Sequence, residues 1–364
     1  MIVDLILLGS LTFYALLVVL FLVGLRRPRG SPANTAQHRV SVVVAARNEE
    51  ENIRECLASL ARQTYAREFY EVVLVDDHSS DATSHIAKEM SPLFHSLTIL
   101  SPPDDPVLKG KTNALAHGIR HASGEIVMIT DADCVVPPTW IDATVRWFTP
   151  GVGMVSGMTL QGCEGPLAGL QSLDWTYLLG IASSAINLRQ PLSTIGNNLS
   201  FRRQAYDDVG GYESLKFSLI EDYALFHAIV ARGTWDYLAP LDPSQLVQTK
   251  PCHTLRELVQ QKHRWGKGGL DIKLRGLIVM AGGFFMHCSA IAGFFLGAAP
   301  LAASVLLAKF LADYIFLHSV LRKVRQLPCL RYFYWFELYF LAYTLLLPVI
   351  VLFGGAVEWK GRKY

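Results

Sequence analysis

Hydrophobic residues follow two different patterns along this chain, one at its ends and one in its middle. The ends carry long apolar runs, which are typical of membrane-spanning helices. The middle alternates short, β-branched apolar runs with stretches in which apolar residues recur every three or four positions. The second pattern predicts strands alternating with helices, and therefore an α/β domain with a mainly parallel sheet.

Four apolar segments are long enough to cross a membrane: Ile2–Leu25, Leu277–Leu296, Leu301–Val320 and Phe336–Phe353. We expect the first to be an uncleaved anchor, not a signal peptide, because its positive charges follow the apolar run and no small-residue cleavage site is present. Arg26, Arg27 and Arg29 then place the next domain in the cytoplasm. The chain is thus expected to be an integral membrane protein, of the inner membrane in a bacterium.

The last apolar segment leaves two interpretations open. A full crossing would put Lys360, Arg362 and Lys363 outside, against the positive-inside rule. Pro348 and the pair Gly354-Gly355 would permit a re-entrant or interfacial element instead.

Ionisable residues also occur within the third apolar segment, where Lys309 and Asp313 are four residues apart. At this spacing they share one helical face, and ionisable groups at membrane depth usually pair or line a polar path. We expect an internal structural pair in preference to a substrate contact.

Six successive parts are predicted from these patterns. They are a transmembrane helix (1–25), a linker (26–39), the cytoplasmic α/β domain (40–250), an interfacial amphipathic segment (251–276), C-terminal transmembrane or re-entrant helices (277–356) and a basic tail (357–364). A hydrophobic fraction of 51% supports a membrane protein, and a net charge of only +2 gives no indication of a nucleic-acid partner. The six cysteines show no Cys-x-x-Cys spacing, so we expect free thiols.

Carboxylates and amides of the α/β domain follow the predicted strands directly. The pairs are Asn48 and Glu49, Asp76 and Asp77, and Asp131 and Asp133. Because the carboxyl ends of parallel strands share one edge of a sheet, these side chains should lie close together. Two aspartates one residue apart can hold a divalent cation through oxygen ligands, although alone they would more often form a turn.

Other polar positions are compatible with a site for an anionic ligand. Lys111 opens a helix, where its charge and the backbone N–H groups suit an anionic group. Neither a Gly-x-x-x-x-Gly-Lys-Ser/Thr loop nor a Gly-x-Gly-x-x-Gly turn after the first strand is present, which argues against P-loop nucleotidases and nicotinamide dehydrogenases. Asn48 is expected to cap the first helix of the domain, and Asp222 could cap the helix Tyr223–Arg232.

Six short motifs occur in order over roughly residues 40–270. They are Arg47-Asn48-Glu49, Val75-Asp76-Asp77-His78-Ser79-Ser80-Asp81, Gly110-Lys111-Thr112-Asn113-Ala114-Leu115, Thr130-Asp131-Ala132-Asp133, Glu221-Asp222 and Gln261-x-x-Arg264-Trp265. Together they resemble family 2 inverting glycosyltransferases with a GT-A (Rossmann-like) fold. The flanking hydrophobic segments are similar to the membrane-bound ceramide glucosyltransferase-like branch. His78 departs from the family pattern, in which glycine is commoner after the second aspartate.

The resemblance implies a metal-assisted transfer of sugar from a nucleotide donor, expected to be UDP-linked, to a lipid hydroxyl. It assigns Mg²⁺ or Mn²⁺ to Asp131 and Asp133. The catalytic residues would be Asp222, as the general base, and its neighbour Glu221. Donor contacts would come from Glu49, Asp76, Asp77, Lys111, Asp131, Asp133, Gln261, Arg264 and Trp265, with Trp265 stacking on the acceptor.

Two alternatives use the same residues. A processive polysaccharide synthase would share the catalytic set and extrude its product, but four hydrophobic segments are few for a channel within one subunit. A non-catalytic nucleotide-binding membrane protein would not need Asp133, Asp222 and the Gln-x-x-Arg-Trp motif together.

Overall fold

The computed structural model describes residues 1–216, 218, 220–269, 273–355, 358–359 and 362–363. It divides into two compact units. Unit 1 comprises Met1–Pro28, Gln161–Leu192 and the described part of Pro251–Tyr364, whereas unit 2 comprises Arg29–Leu160 and Ser193–Lys250. Residues 161–192, which the sequence analysis included in the α/β domain, therefore belong to unit 1.

The α-helices of the described residues are, in chain order, α1 Ile2–Arg26, α2 Ile53–Ala61, α3 Thr83–Met90, α4 Gly110–His121, α5 Trp140–Val145, α6 Pro166–Asn187, α7 Arg203–Asp207, α8 Glu221–Arg232, α9 Leu255–Gly268, α10 Leu274–Phe295, α11 Ala299–Lys323 and α12 Phe333–Phe353. The strands are β1 Val40–Ala46, β2 Tyr70–Asp76, β3 Leu97–Leu100, β4 Ile126–Asp131, β5 Cys134–Val135, β6 Val152–Ser156, β7 Thr159–Gln161, β8 Leu199–Arg202, β9 Asp236–Leu238, β10 Val247–Thr249, β11 Glu358–Trp359 and β12 Arg362–Lys363. Helices and strands alternate through the first half of unit 2, as the hydrophobic pattern predicts.

A seven-stranded sheet in the order β3-β2-β1-β4-β8-β6-β9 forms the centre of unit 2. β1 pairs in parallel with both β2 and β4, whereas β8 runs antiparallel to both β4 and β6. Only one strand of this sheet therefore opposes the others, which confirms the prediction of a mainly parallel sheet. Parallel strands are buried on both faces, and this explains the almost continuous apolar runs of β1, β2 and β4.

Helix α4 packs closely against the sheet at Gly118. A Cβ atom at this position would lie 2.7 Å from Val43 Cγ1 and 2.8 Å from Val75 Cγ2. The missing side chain lets the helix backbone approach β1 and β2. Because α4 begins with Gly110 and Lys111, this packing also fixes where Lys111 stands relative to the strand ends.

Within the described part of unit 1, four helical segments are long and apolar enough to cross a membrane, namely Ile2–Arg26, Leu274–Phe295, Ala299–Lys323 and Leu327–Phe353. They include the four segments predicted from the sequence, apart from Leu296 at the end of the second. Pro348 does not end the last one, because α12 continues to Phe353. Many of their large apolar side chains are exposed, as expected for a lipid-facing surface.

Lys309 and Asp313 form the predicted internal pair, with 2.7 Å between Lys309 Nζ and Asp313 Oδ2. Glu337 of α12 joins them at 2.5 Å from Lys309 Nζ, a partner that the sequence analysis missed. Tyr14 and Tyr177 donate hydrogen bonds to Asp313 Oδ1 over 2.5 and 3.2 Å. The cluster thus connects α1, α6, α11 and α12 through buried polar groups.

Two predicted helix caps are wrong. Asn52, not Asn48, is the N-cap residue of α2, and Asn48 instead accepts a hydrogen bond from the backbone of Ser80. Ile220 is the N-cap residue of α8, so Asp222 lies inside the first turn. All six cysteines are free thiols, as predicted. Residues 217 and 219, part of the interfacial segment (270–272) and residues 356–357, 360–361 and 364 of the C-terminal region lie outside the described residues.

Candidate active site

The ends of three neighbouring strands bring the predicted carboxylates to one edge of the sheet. In the sheet register, Ala45 lies opposite Asp131 of β4, and Ala46 lies opposite Asp76 of β2. The polar residues that follow these strands therefore start from adjacent positions, with β1 in the middle. This arrangement is the one that the sequence pattern predicted.

The loops after β1 and β2 hold one another through hydrogen bonds. The backbone N–H groups of Asn48, Glu49 and Glu50 donate to Ser79 Oγ, Thr83 Oγ1 and Asp81 Oδ2 over 2.9, 2.7 and 3.1 Å. In return, Asn48 Oδ1 accepts from the N–H of Ser80 over 2.9 Å. The two loops consequently act as one structural element at the edge of the sheet.

Left-handed backbone conformations shape both loops, with φ of 52° at Asn48 and 57° at His78. Such angles favour glycine, and asparagine tolerates them better than most residues. His78 therefore adopts a conformation that the commoner family glycine would reach without strain. The departure noted in the sequence thus leaves the turn itself in place.

Asp76, the last residue of β2, and Asp77, which follows it, differ in their surroundings. Asp76 Oδ1 accepts a hydrogen bond from the N–H of Ser79 over 3.0 Å, which stabilises the loop itself. Asp77 is buried, and its N–H donates to the carbonyl of Ala46 over 2.8 Å. Arg47 also contacts this turn, donating to the Asp77 carbonyl over 2.6 Å.

Lys111 joins two carboxylates that come from distant parts of the sequence. Its Nζ lies 2.7 Å from Asp131 Oδ1 and 3.0 Å from Glu221 Oε1. Burial alone would lower the pKa of the Lys111 ammonium, but the charges of Asp131 and Glu221 outweigh it and raise the pKa above its ordinary value. We call Lys111, Asp131, Glu221 and Asp222 the carboxylate–lysine cluster.

Asp222 completes this cluster within the first turn of α8. Its pKa is raised to about 7 by burial and by the adjacent negative charge of Glu221, while Lys111 acts in the opposite direction. Gly196 faces the same carboxylate, because a Cβ at residue 196 would lie 3.1 Å from Asp222 Oδ2. A carboxylate with a pKa near neutrality can accept a proton during a reaction and release it afterwards.

Asp131 and Asp133 have the donor chemistry of a hard divalent cation. Among the described residues no group of three or more His, Cys, Asp or Glu side chains could hold a metal ion. Mg²⁺ commonly takes one or two protein carboxylates and fills its remaining positions with phosphate oxygens and water, so the pair fits a cation that binds together with a diphosphate. Asp131 is paired with Lys111, and the assignment of a cation to these two aspartates stays a prediction.

Gln261, Arg264 and Trp265 belong to α9 in unit 1. Trp265 packs against Trp175 with 5.4 Å between ring centroids, and Gln261 Oε1 is buried without a hydrogen-bond partner among the described residues. The predicted contacts of these three residues with donor and acceptor stay a prediction.

Comparison with known proteins identifies the family. The family model described as Glycosyl transferase family 2 matches residues 41–223, which is half of the chain. The chain is a family 2 glycosyltransferase. The glycosyltransferase also superposes on a mannosyltransferase from Pyrobaculum calidifontis solved with GDP-mannose and Mn²⁺, with a TM-score of 0.63, 21% identity and coverage of 97% and 99% of the two chains. This similarity confirms the GT-A fold.

Curated relatives include two glycosyltransferases. Poly-β-1,6-N-acetyl-D-glucosamine synthase of Staphylococcus epidermidis is 28% identical over 240 residues, which cover 65% of this glycosyltransferase and 56% of the synthase. Glycosyltransferase AglE of Haloferax volcanii is 27% identical over 257 residues, covering 70% and 81% of the two chains. The matched region thus spans little more than half of the synthase.

Sequence reasoning missed Asn198, which organises the chain beside Asp222. Its Oδ1 accepts from Trp140 Nε1, and its Nδ2 donates to the carbonyls of Met158 and Gln245, each over 2.9 Å. A fully used amide of this kind fixes the Gly196–Asn198 turn, and Gly196 then faces Asp222. The cluster of glycine and two asparagines was the available signal in the sequence.

Proposed function

We propose that this glycosyltransferase transfers a sugar from a UDP-linked donor to a lipid hydroxyl by single displacement with inversion. The observation that carries the proposal is the partly buried carboxylate of Asp222, with a pKa of about 7, beside the Lys111, Asp131 and Glu221 charges. A base poised near neutrality is what activation of an acceptor hydroxyl requires.

In the proposed reaction, the acceptor oxygen attacks the anomeric carbon of the donor while the bond to the diphosphate breaks. The bonding electron pair leaves with the nucleoside diphosphate, and the hydroxyl proton passes to the Asp222 carboxylate. One base without a second carboxylate acting as nucleophile corresponds to single displacement. Glu221 contributes by keeping the pKa of Asp222 high enough to accept that proton.

Asp133, with Asp131, would hold Mg²⁺ or Mn²⁺. When bound, the cation supplies Lewis-acid stabilisation of the negative charge that develops on the leaving diphosphate. Both ions accept hard oxygen ligands, so the two carboxylates suit either. Lys111 is the nearest protein cation to Asp131 and would add positive charge beside the donor phosphates.

The interlocked loops after β1 and β2 would hold the nucleoside. Asp77 and Glu49 would accept hydrogen bonds from the base or the ribose, with Asp76 maintaining the loop through Ser79. Gln261, Arg264 and Trp265 would complete the donor and acceptor contacts. A GDP-linked donor is the alternative to test, because the similar mannosyltransferase was solved with GDP-mannose.

The proposal of a lipid acceptor rests on the membrane-type helices. Four segments among the described residues of unit 1 are long and apolar enough to cross a bilayer, so an acceptor embedded in the same membrane would be available without leaving it. An enzyme of the ceramide glucosyltransferase-like branch, with a cytoplasmic catalytic domain, is consistent with Arg26, Arg27 and Arg29 after the first helix.

A processive polysaccharide synthase is the second candidate, favoured by the similarity to the poly-β-1,6-N-acetyl-D-glucosamine synthase. Incubation with radiolabelled donor and membranes separates the two candidates by product size. Lipid transfer predicts a product extracted into organic solvent with one sugar or a few. A polymer retained by size exclusion would instead identify a synthase.

The first experiment is a thermal-shift screen of UDP-sugars and GDP-mannose with Mg²⁺ or Mn²⁺, followed by mass spectrometry of lipid products. We expect stabilisation by one UDP-sugar only in the presence of a divalent cation, and a glycolipid of the corresponding mass. Stabilisation by GDP-mannose and by none of the UDP-sugars would show that the donor is GDP-linked and not UDP-linked.

Substitution of Asp222 by Asn tests the proposed base. We expect kcat to fall by at least about 10² because the amide cannot take the proton. Affinity for the nucleotide sugar, measured by calorimetry, should change little. Turnover near that of the wild type would remove Asp222 from its role.

A further inference from the structure

A buried ion pair lies within the Gln-x-x-Arg-Trp motif of α9. Lys262 occupies the position after Gln261, and its ammonium contacts Asp174 Oδ2 of α6. The side chains are only 3% and 0% exposed. A buried charge pair of this kind is costly to form and strongly destabilising to break.

Aromatic rings surround the Lys262 ammonium. The Nζ atom lies 4.6 Å from the ring centroid of Trp265 and 4.6 Å from that of Tyr343 in α12. Tyr339 donates a hydrogen bond to Asp174 Oδ2 over 3.1 Å. Trp265 therefore serves as one wall of a cation–π enclosure, and its ring contacts Lys262 and Trp175.

Close backbone packing seats the same helix on α12. A Cβ at Gly266 would lie 2.3 Å from Val351 Cγ2, so only glycine allows this approach. At the other end Thr254 accepts a hydrogen bond from the N–H of Glu257, which caps the helix. The Lys262 pair adds a directed polar contact to this packing.

Helical geometry connects this pair to the motif. Residues 261, 264 and 265 share one face of α9, and Lys262 lies one turn before Trp265. We propose that Lys262 and Asp174 are positioning residues that set the direction in which Gln261 and Arg264 face. Trp265 takes part as a wall of the enclosure. The inference rests on the proposed function, in which Gln261 and Arg264 contact the donor.

An ion pair restricts the orientation of a side chain, and of the helix that carries it, more than apolar packing does. The ammonium must point at one carboxylate oxygen and at two ring faces, whereas a methionine would tolerate many rotations. Displacement of catalytic contacts by about 1 Å can cost on the order of 10² in rate. Exchange of both members of the pair for apolar residues should therefore restore stability without restoring kcat.

The test compares three variants of the full chain in detergent. Lys262→Met should lower the apparent Tm by about 5 °C or more and kcat by at least about 10-fold. Lys262→Arg keeps the positive charge but replaces the compact ammonium with a larger planar group, so it should lose less Tm and less kcat than Lys262→Met. The double variant Lys262→Met with Asp174→Leu should recover most of the Tm but not kcat.

Gln260→Ala, on the exposed side of α9, is the control and should change neither the Tm nor kcat.

Hydrogen–deuterium exchange of residues 255–268 gives a readout independent of turnover. We expect faster exchange in Lys262→Met, wild-type exchange in Gln260→Ala, and a return towards wild type in Lys262→Arg. Recovery of wild-type kcat in the double variant, or unchanged exchange in Lys262→Met, would overturn the positioning role. If the wild type transfers no sugar, the proposed function fails, and the exchange data still decide whether Lys262 orders α9.

Discussion

Two lysines of this glycosyltransferase each lie between two carboxylates, but the two surroundings differ. In unit 2, Lys111 contacts Asp131 and Glu221 at 2.7 and 3.0 Å. These three side chains keep 19%, 31% and 11% of their surface exposed. A ligand can therefore compete for them, and the cluster can exchange one partner for another.

In unit 1, Lys309 contacts Asp313 and Glu337 at 2.7 and 2.5 Å, and all three side chains are 0% exposed. These residues lie in helices long and apolar enough to cross a membrane. The geometry resembles that of the first cluster, but solvent and ligands have no access. A lysine between two carboxylates is thus available for ligand binding where it is accessible to solvent, and it connects helices where it is fully buried.

The largest expected effect comes from Lys309→Met, which leaves two buried carboxylates without their cation. Breaking one partner of a buried pair costs about 3–5 kcal/mol, so we expect a loss of that size in the free energy of unfolding, measured by denaturant titration in detergent. Lys323→Met, at the exposed end of α11, is the matched control and should change stability by less than about 0.5 kcal/mol. A Lys309→Met protein as stable as the control would show that the sealed cluster is not structural.

Asp133→Ala should act on binding and leave folding intact. We expect the metal-dependent part of nucleotide-sugar affinity to disappear, because one of the two proposed carboxylate ligands is removed. Calorimetry with and without EDTA measures this in wild type and variant, and a thermal melt checks the fold. Equal affinity in all four titrations would refute a metal site at this position.

Glu221→Gln should have the smallest effect and the most specific one. Removing the neighbouring negative charge lowers the pKa of Asp222, so the acidic limb of the pH profile of kcat/KM should move to lower pH. The loss in kcat should be smaller than in Asp222→Asn, because the base itself remains. An acidic limb that stays in place or moves to higher pH would mean that Glu221 does not act on Asp222.

Local sequence patterns predicted most of the fold and the strand-end site. The apolar runs of β1, β2 and β4 end in polar residues, and parallel pairing then forces these residues onto one edge. The pairing of Lys309 and Asp313 followed from helical spacing alone. Each of these conclusions depends on residues close in sequence or on the parallel pairing of strands.

Contacts between residues far apart in the chain could not be predicted from the sequence pattern. Glu337 is 28 positions from Lys309, and no periodicity relates the two. The short strand β8 pairs with β4 and β6, which lie about 70 and 45 residues earlier in the chain, and its own four residues do not specify these partners. Asp222 could be assigned as a cap because helix starts vary by a residue or two, and only the structure places α8 from Glu221.

The pH dependence of kcat/KM for sugar transfer tests the central role of Asp222 most directly. The free carboxylate is the active form, so activity should rise with pH through the pKa of about 7 and level off above it. In Asp222→Asn the residual activity should lack this limb. A wild-type profile that is flat between pH 5 and 8, or an Asp222→Asn profile that keeps the limb, would contradict the assignment of Asp222 as the general base.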